Sequence, residues 1–282
     1  MSVRAVLLLS CIDQRGLVAT VADWVYRNGG NIVAADQHMD LGIFLQRVEW
    51  DLDGFLLGRK EIAEGFRPIA ERFGMRWDLR FTDHVARMAI LVSKLSHCLY
   101  DLLWRQQAGE FRAEVPLVVS NHPDLREASA SLGARYEWVP VAPETRETAE
   151  SRLLALLEEE RIELVVLARY MQVLGPRVLE RYPQRIINIH HSFLPAFVGA
   201  RSYHQAYERG VKAIGATAHY VTAELDQGPI IEQDVTRVSH RDSPEDLVRK
   251  GRDLEKVVLA RAVDLHLRHG VLVYGNKTAV FD

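Results

Sequence analysis

Between residues 87 and 192, apolar runs of strand length keep returning: RMAILVS, VPLVVSN, YEWVPV, IELVVLAR and IINIHHS. Runs of this kind bury both faces of a strand, which requires a parallel sheet covered by helices on either side. Helices fit the intervals, starting near Ser96, Leu125, Thr145 and Pro176. Strands alternating with helices make a doubly wound, mostly parallel sheet. Downstream, IGATAHYV and PIIEQDVTRV are separated by a short loop and are expected to pair as an antiparallel hairpin at one sheet edge. A long helix is expected from about Pro244 to His269, with Ser243 as N-cap and Glu245 and Asp246 in its first turn.

The first third of the chain has a different rhythm. RAVLLLSCI reads as a strand and LVATVADWVYRNGG as an amphipathic helix. Strands follow in NIVAADQHM and IFLQRVEWD, then a helix in RKEIAEGFRPIAERFG and a strand in MRWDLRFT. The order βαββαβ is that of a ferredoxin-like unit. The expected organisation is therefore α/β, with a ferredoxin-like domain over residues 1–83 and a doubly wound domain over residues 84–282. Trp24, Trp77, Trp104 and Trp138 are expected to fill cores, and the Arg/Lys/Glu mix from 249 to 261 to form an exposed helix face.

Charge narrows the partners. Lys plus Arg number 35 and Asp plus Glu 38, with no dense basic run, so neither nucleic acid nor an anionic membrane is expected as a partner. Cys11 and Cys98 are too few for a disulfide framework, and a reducing, cytoplasmic setting fits. The opening apolar run stops at Asp13, Gln14 and Arg15, short of a secretory signal or a membrane span.

One strand breaks the pattern of the others. In IINIHHSFLPAF, period-two alternation places Asn188, His190 and Ser192 on one face and Ile187, Ile189 and His191 on the other. Polar groups at the carboxyl end of an inner strand belong at a ligand crevice. Asp226 follows in ELDQGP, where Gly228 and Pro229 make a tight turn at the rim of that crevice. An amide, an imidazole and a carboxylate suit attack on a carbonyl carbon: the amide stabilises the oxyanion, the imidazole moves a proton, and the carboxylate orients it. Adjacent histidines on a strand point to opposite faces, so no metal is expected at His190, His191, His219 and Asp226, and His191 is read as structural.

NIHHSFLPAF together with HYVTAELDQGPIIEQ resembles the formyltransferases that handle 10-formyltetrahydrofolate, over residue 84 to the end of the chain. The resemblance implies Asn188, His190 and Asp226 as a catalytic trio, with His219 and Ser192 in support. It also implies that the folate lies against Arg169, Met171, Gln172 and Leu174 and against the loop containing Thr222 and Ala223. The first unit, with CIDQRGLVA and GGNIV, resembles an ACT module. That implies an amino-acid effector, glycine or methionine, held by Asp13, Gly16, Leu17, Asn31 and Ile32 between two copies of a homodimer or tetramer.

An ACT-like module ahead of such a domain is similar to the branch of the family that transfers the formyl group to water, releasing formate and tetrahydrofolate. No permanently bound cofactor is then expected; 10-formyltetrahydrofolate is the substrate. Relatives that formylate glycinamide ribonucleotide resemble one another in a Gly-rich loop whose amides hold the acceptor's phosphate. The corresponding SKLSHCL, residues 93–99, has no glycine, although Lys94 offers a charge. Transfer to an amine such as glycinamide ribonucleotide is thus the second reading, and an inactive folate or amino-acid sensor the third.

Overall fold

A computed structural model describes residues 2–196 and 202–281, so Phe197, the end of the FLPAF run, lies outside the described residues. The chain forms two compact units, Met1–His84 with Arg268–Asp282, and Val85–Leu267.

In the first unit, β1 (Arg4–Ile12), α1 (Leu17–Arg27), β2 (Asn31–Asp40), β3 (Ile43–Asp51), α2 (Arg59–Phe73) and β4 (Arg76–Phe81) follow the expected βαββαβ order. The sheet runs β2-β3-β1-β4, each neighbouring pair antiparallel. Alternation sorts its side chains: Leu7, Leu9, Phe44, Val48 and Trp50 face a core shared with Val21, Val25, Ile62 and Phe66 of the helices.

The opposite face carries Leu45, and what covers it departs from the expected boundary of residues 84–282. The long helix of the second unit stops at Leu267, and the residues after it return to the first unit as a hairpin of β12 (Val271–Tyr274) and β13 (Lys277–Val280). Leu272, Ala279 and Phe281 pack on Leu45. The hairpin turns through Gly275 at φ 56° and Asn276, between the paired Tyr274 and Lys277. Gly-Asn between alternating residues is a hairpin signal, but four-residue strands are short enough to be passed over. Tyr274 Oη and Lys277 Nζ both donate to Asp40 Oδ2, at 3.0 and 2.9 Å, pinning the hairpin to the end of β2.

In the second unit, β5 (Ala86–Val92), β6 (Ala113–Ser120), β7 (Arg135–Trp138), β8 (Leu164–Leu167) and β9 (Ile186–His190) are parallel, and β10 (Ala213–Tyr220) and β11 (Ile230–Arg237) form the antiparallel edge. The order is β11-β10-β9-β8-β5-β6-β7, so the winding reverses between β5 and β8. Met88 to Val92 and Leu164 to Val166 are almost wholly buried, as unbroken apolar runs require. Helices α3 (His97–Gln107), α4 (Arg126–Ser131), α5 (Arg146–Glu159), α6 (Pro176–Arg181), α7 (Ser202–Arg209) and α8 (Pro244–Leu267) complete the unit. Ser243 and Asp246 cap α8 reciprocally: Asp246 N–H donates to Ser243 Oγ (3.2 Å) and Ser243 N–H to Asp246 Oδ2 (3.0 Å).

Two of the expected core tryptophans are not in the core. Trp104 is 64% and Trp138 48% exposed, whereas Trp24 and Trp77 pack with Phe66 and fully buried Trp50 heads the largest core residues. Trp104 lies on the solvent side of α3 and Trp138 ends an edge strand, where nothing is left to pack over an indole.

Candidate active site

The site begins with strand pairing. β9 lies between parallel β8 and antiparallel β10, in a register that sets Asn188 opposite His219 and His190 opposite Thr217. Directly opposed residues have neighbouring side chains. Asn188 Nδ2 donates to His219 Nε2 at 3.2 Å, and His219 Nδ1 donates to the Tyr220 carbonyl at 2.9 Å. That pairing requires the proton on Nδ1 and a lone pair on Nε2. Burial pushes the His219 pKa down, against the Tyr220 hydrogen bond and the Asp226 charge, so the ring is neutral.

Asp226 reaches the same place from the loop joining β10 to β11. The turn closes through Tyr220 N–H to the Pro229 carbonyl (2.9 Å). Gly228 is obligatory there, since a Cβ would stand 1.7 Å from the Tyr220 carbonyl oxygen. Asp226 takes a left-handed φ of 56°, tolerated by Asp, and its Oδ2 lies 3.2 Å from His190 Nδ1 while Oδ1 is 3.8 Å from His219 Nε2. Burial pushes the Asp226 carboxyl up, but the hydrogen bond and charge of His190 outweigh it, and the group stays below its ordinary value. The carboxylate is ionised, and His190 presents its other nitrogen, Nε2, buried and without a hydrogen-bond partner. A buried orphan atom at the carboxyl end of an inner strand is left available to a bound molecule.

Ser192 is not part of this cluster. Its hydroxyl donates to the Ala196 carbonyl (2.7 Å) and its own carbonyl accepts from Thr217 (2.8 Å), so it shapes the turn after β9. Strand alternation does not extend to it because β9 ends at His190. His191 is buried against Tyr203, a structural position.

Among the residues expected to hold folate, Met171 is half exposed and its N–H donates to Ser93 Oγ (3.0 Å), while Leu174 packs on the core beside α5. Thr222 turns its hydroxyl to the Glu224 carbonyl (3.1 Å), and Ala223 is exposed. Arg169 differs: its side chain is buried and turned to Glu255 of α8, with Nε 3.5 Å from Oε2. Glu255 is 1% exposed, the exception to an expected exposed face on which Arg249, Arg252, Asp253 and Arg261 do reach solvent. The sequence did carry a signal, for Glu255 stands in register with Gly251, Val258, Leu259 and Ala262 on the buried stripe of α8.

In the first unit the residues expected to hold an effector fall into two groups. Asp13, Gly16 and Leu17 follow β1 beside the β2–β3 turn, where Asp13 N–H bonds the Gly42 carbonyl (2.9 Å). Asn31 and Ile32 open β2 opposite Asp51 and Trp50, at the other end of the sheet.

A formyl transferase family model matches residues 86–263. The formyltetrahydrofolate deformylase of Synechocystis sp. is 56% identical over 98% of both chains. The chain belongs to the formyltetrahydrofolate deformylase family. The crystal structure of a deformylase from Pseudomonas syringae pv. tomato superposes with a TM-score of 0.98 at 47% identity, covering 100% of this chain and 95% of that one. A glycinamide ribonucleotide transformylase from Symbiobacterium toebii gives a TM-score of 0.67 at 31% identity, covering 73% of this chain and 98% of its own. The deformylase likeness thus runs through both units, whereas the transformylase leaves over a quarter of this chain unmatched.

Proposed function

We propose that this protein hydrolyses 10-formyltetrahydrofolate to formate and tetrahydrofolate. The observation that carries the reading is His190, paired through Nδ1 with an ionised carboxylate and holding Nε2 open in a buried site next to an amide donor.

Water attacks the formyl carbon and gives a proton to His190 Nε2. Asp226 stabilises the imidazolium that forms. One N–H of Asn188 is spent on His219, which fixes the amide's orientation, and the other meets the developing oxyanion; such a donor is worth about 3 kcal/mol of barrier. The imidazolium then returns its proton to the departing folate nitrogen as the C–N bond breaks. These steps use side chains of this chain and solvent, with no metal and no resident cofactor.

The loop at 93–99 supports water as acceptor over an amine. Ser93 Oγ is spent between Asn121 Oδ1 (2.6 Å) and the Met171 N–H, Cys98 and Leu99 are buried, and His97 turns inward to Glu255. The folate is assigned to the segment from Arg169 to Leu174 and to the loop at Thr222 and Ala223. The first unit is assigned an effector role toward glycine or methionine. Its two groups of residues stand roughly 26 Å apart along β1, so they form one site only when a second copy brings the opposite end of its sheet alongside. The exposed edge strand β2 suits such pairing. Among the described residues no helix is long and apolar enough to cross a membrane, and a cytoplasmic setting is part of the proposal.

The test is to give the purified protein 10-formyltetrahydrofolate in amine-free buffer and follow both products. Equal release of formate and tetrahydrofolate is expected. A requirement for an added amine would turn the reading into transfer, and binding without turnover would turn it into a sensor.

A further inference from the structure

A carboxylate buried as deeply as Glu255 is costly unless its charge is met. Tyr203 Oη donates to Oε1 (2.6 Å), His97 Nε2 donates to Oε2 (2.8 Å), and the Arg169 guanidinium lies 3.5 Å from Oε2. Burial pushes the Glu255 carboxyl up, but the His97 bond and the Arg169 charge more than offset it. His97, Cys98 and Glu255 also present donor atoms within 4.8 Å of one another, but the guanidinium already fills the role of counter-cation there.

The groups that meet this carboxylate, two donors and a guanidinium whose Nε is 3.5 Å away without a hydrogen bond, come from different places. His97 opens α3 after β5, Arg169 follows β8, and Tyr203 lies in α7 after β9. β5 and β8 flank the point where the strand order reverses, the crevice in which open α/β sheets hold ligands.

Two backbone features show that the network is built in. Arg169 has φ 64°, a left-handed conformation unfavourable to any residue with a side chain, and it starts the segment assigned to the folate. Gly251 sits in the middle of α8, one turn before Glu255, where glycine weakens a helix. Its reason is Tyr203, since a Cβ at 251 would fall 2.1 Å from the phenol ring carbon Cζ.

We propose that Glu255 is a positioning residue for folate binding: by anchoring Arg169 it holds the left-handed turn that presents residues 170 to 174, while Tyr203 and His97 fix the carboxylate itself. The inference rests on the reading that this segment holds the folate. Its effect falls on substrate binding, because Glu255 has no contact with Asn188, His190 or Asp226 among its bonded partners.

The experiment is steady-state kinetics of the full chain with Glu255→Gln, which keeps the shape and removes the charge. KM for 10-formyltetrahydrofolate should rise about tenfold with kcat within about threefold of the parent. An unchanged KM in Glu255→Gln, or a fall in kcat with KM unmoved, overturns the proposal. If Glu255→Gln does not fold, Tyr203→Phe removes one donor and little packing; KM should then rise about threefold, and no rise overturns the proposal. A parent protein that releases no formate defeats the hydrolase reading, whereas an active parent matched by its variants defeats this inference alone.

Discussion

The second unit buries two histidine–carboxylate pairs, His190 with Asp226 and His97 with Glu255, and they are finished differently. Asp226 has His190 at 3.2 Å and His219 at 3.8 Å, and the far nitrogen of His190 meets nothing. Glu255 accepts from a phenol and an imidazole and has a guanidinium 3.5 Å away, whose Nε makes no hydrogen bond. Similar residue types thus yield an open pair suited to moving protons and a closed pair suited to holding segments in place. What separates them is where the unsatisfied nitrogen falls: on the imidazole itself in the open pair, and on the counter-cation, behind a carboxylate that already has its two donors, in the closed one.

The largest expected effect is on the open pair. Asp226→Asn keeps the shape and removes the charge that supports an imidazolium, so kcat should fall about 10³-fold with little change in KM. Steady-state formate release checks it; a loss smaller than tenfold would place the proton elsewhere. Next comes Gly228→Ala. The added methyl collides with the Tyr220 carbonyl and displaces Asp226 without touching the closed pair, so kcat should fall about a hundredfold. A variant that lost folate binding but kept its kcat would break the separation between the pairs.

The smallest effect concerns a half-buried histidine with no carboxylate bonded to it. Burial, helped by the Arg80 charge, pushes His269 down to about 4. The unfolded chain takes up this proton near pH 6.5 and the folded chain only near pH 4, so stability present above that window is lost as pH falls through it. The whole loss is at most about 3 kcal/mol. His269→Asn, which tolerates the φ of 55° at this position, should flatten the difference in urea midpoint between pH 7 and pH 5. An unchanged difference would assign the acid sensitivity to other groups.

Legibility followed how local the cause was. Asn188 and His190 could be read because they interrupt a strand that should be wholly apolar, a rule needing only the neighbouring residues. Asp226 could be placed at the crevice rim because Gly228 and Pro229 turn the chain between two strands that read as an antiparallel hairpin, while its place in a catalytic trio came from the family resemblance. Glu255 was misread because an acid among Arg, Lys and Asp residues reads as solvated, and its partners come from α3, α7 and the end of β8. Ser192 was misread because alternation was carried past the end of its strand. The closing hairpin was missed because its strands gain their stability from Leu45, more than two hundred residues earlier.

The central claim is that solvent, activated beside His190 and Asp226, takes the formyl group. Turnover in water enriched in ¹⁸O, followed by mass spectrometry of the formate, tests it most directly. The account predicts one heavy oxygen in each formate released, and release about 10³-fold slower with Asp226→Asn. Unlabelled formate, or labelled formate made as fast by that variant, would contradict it.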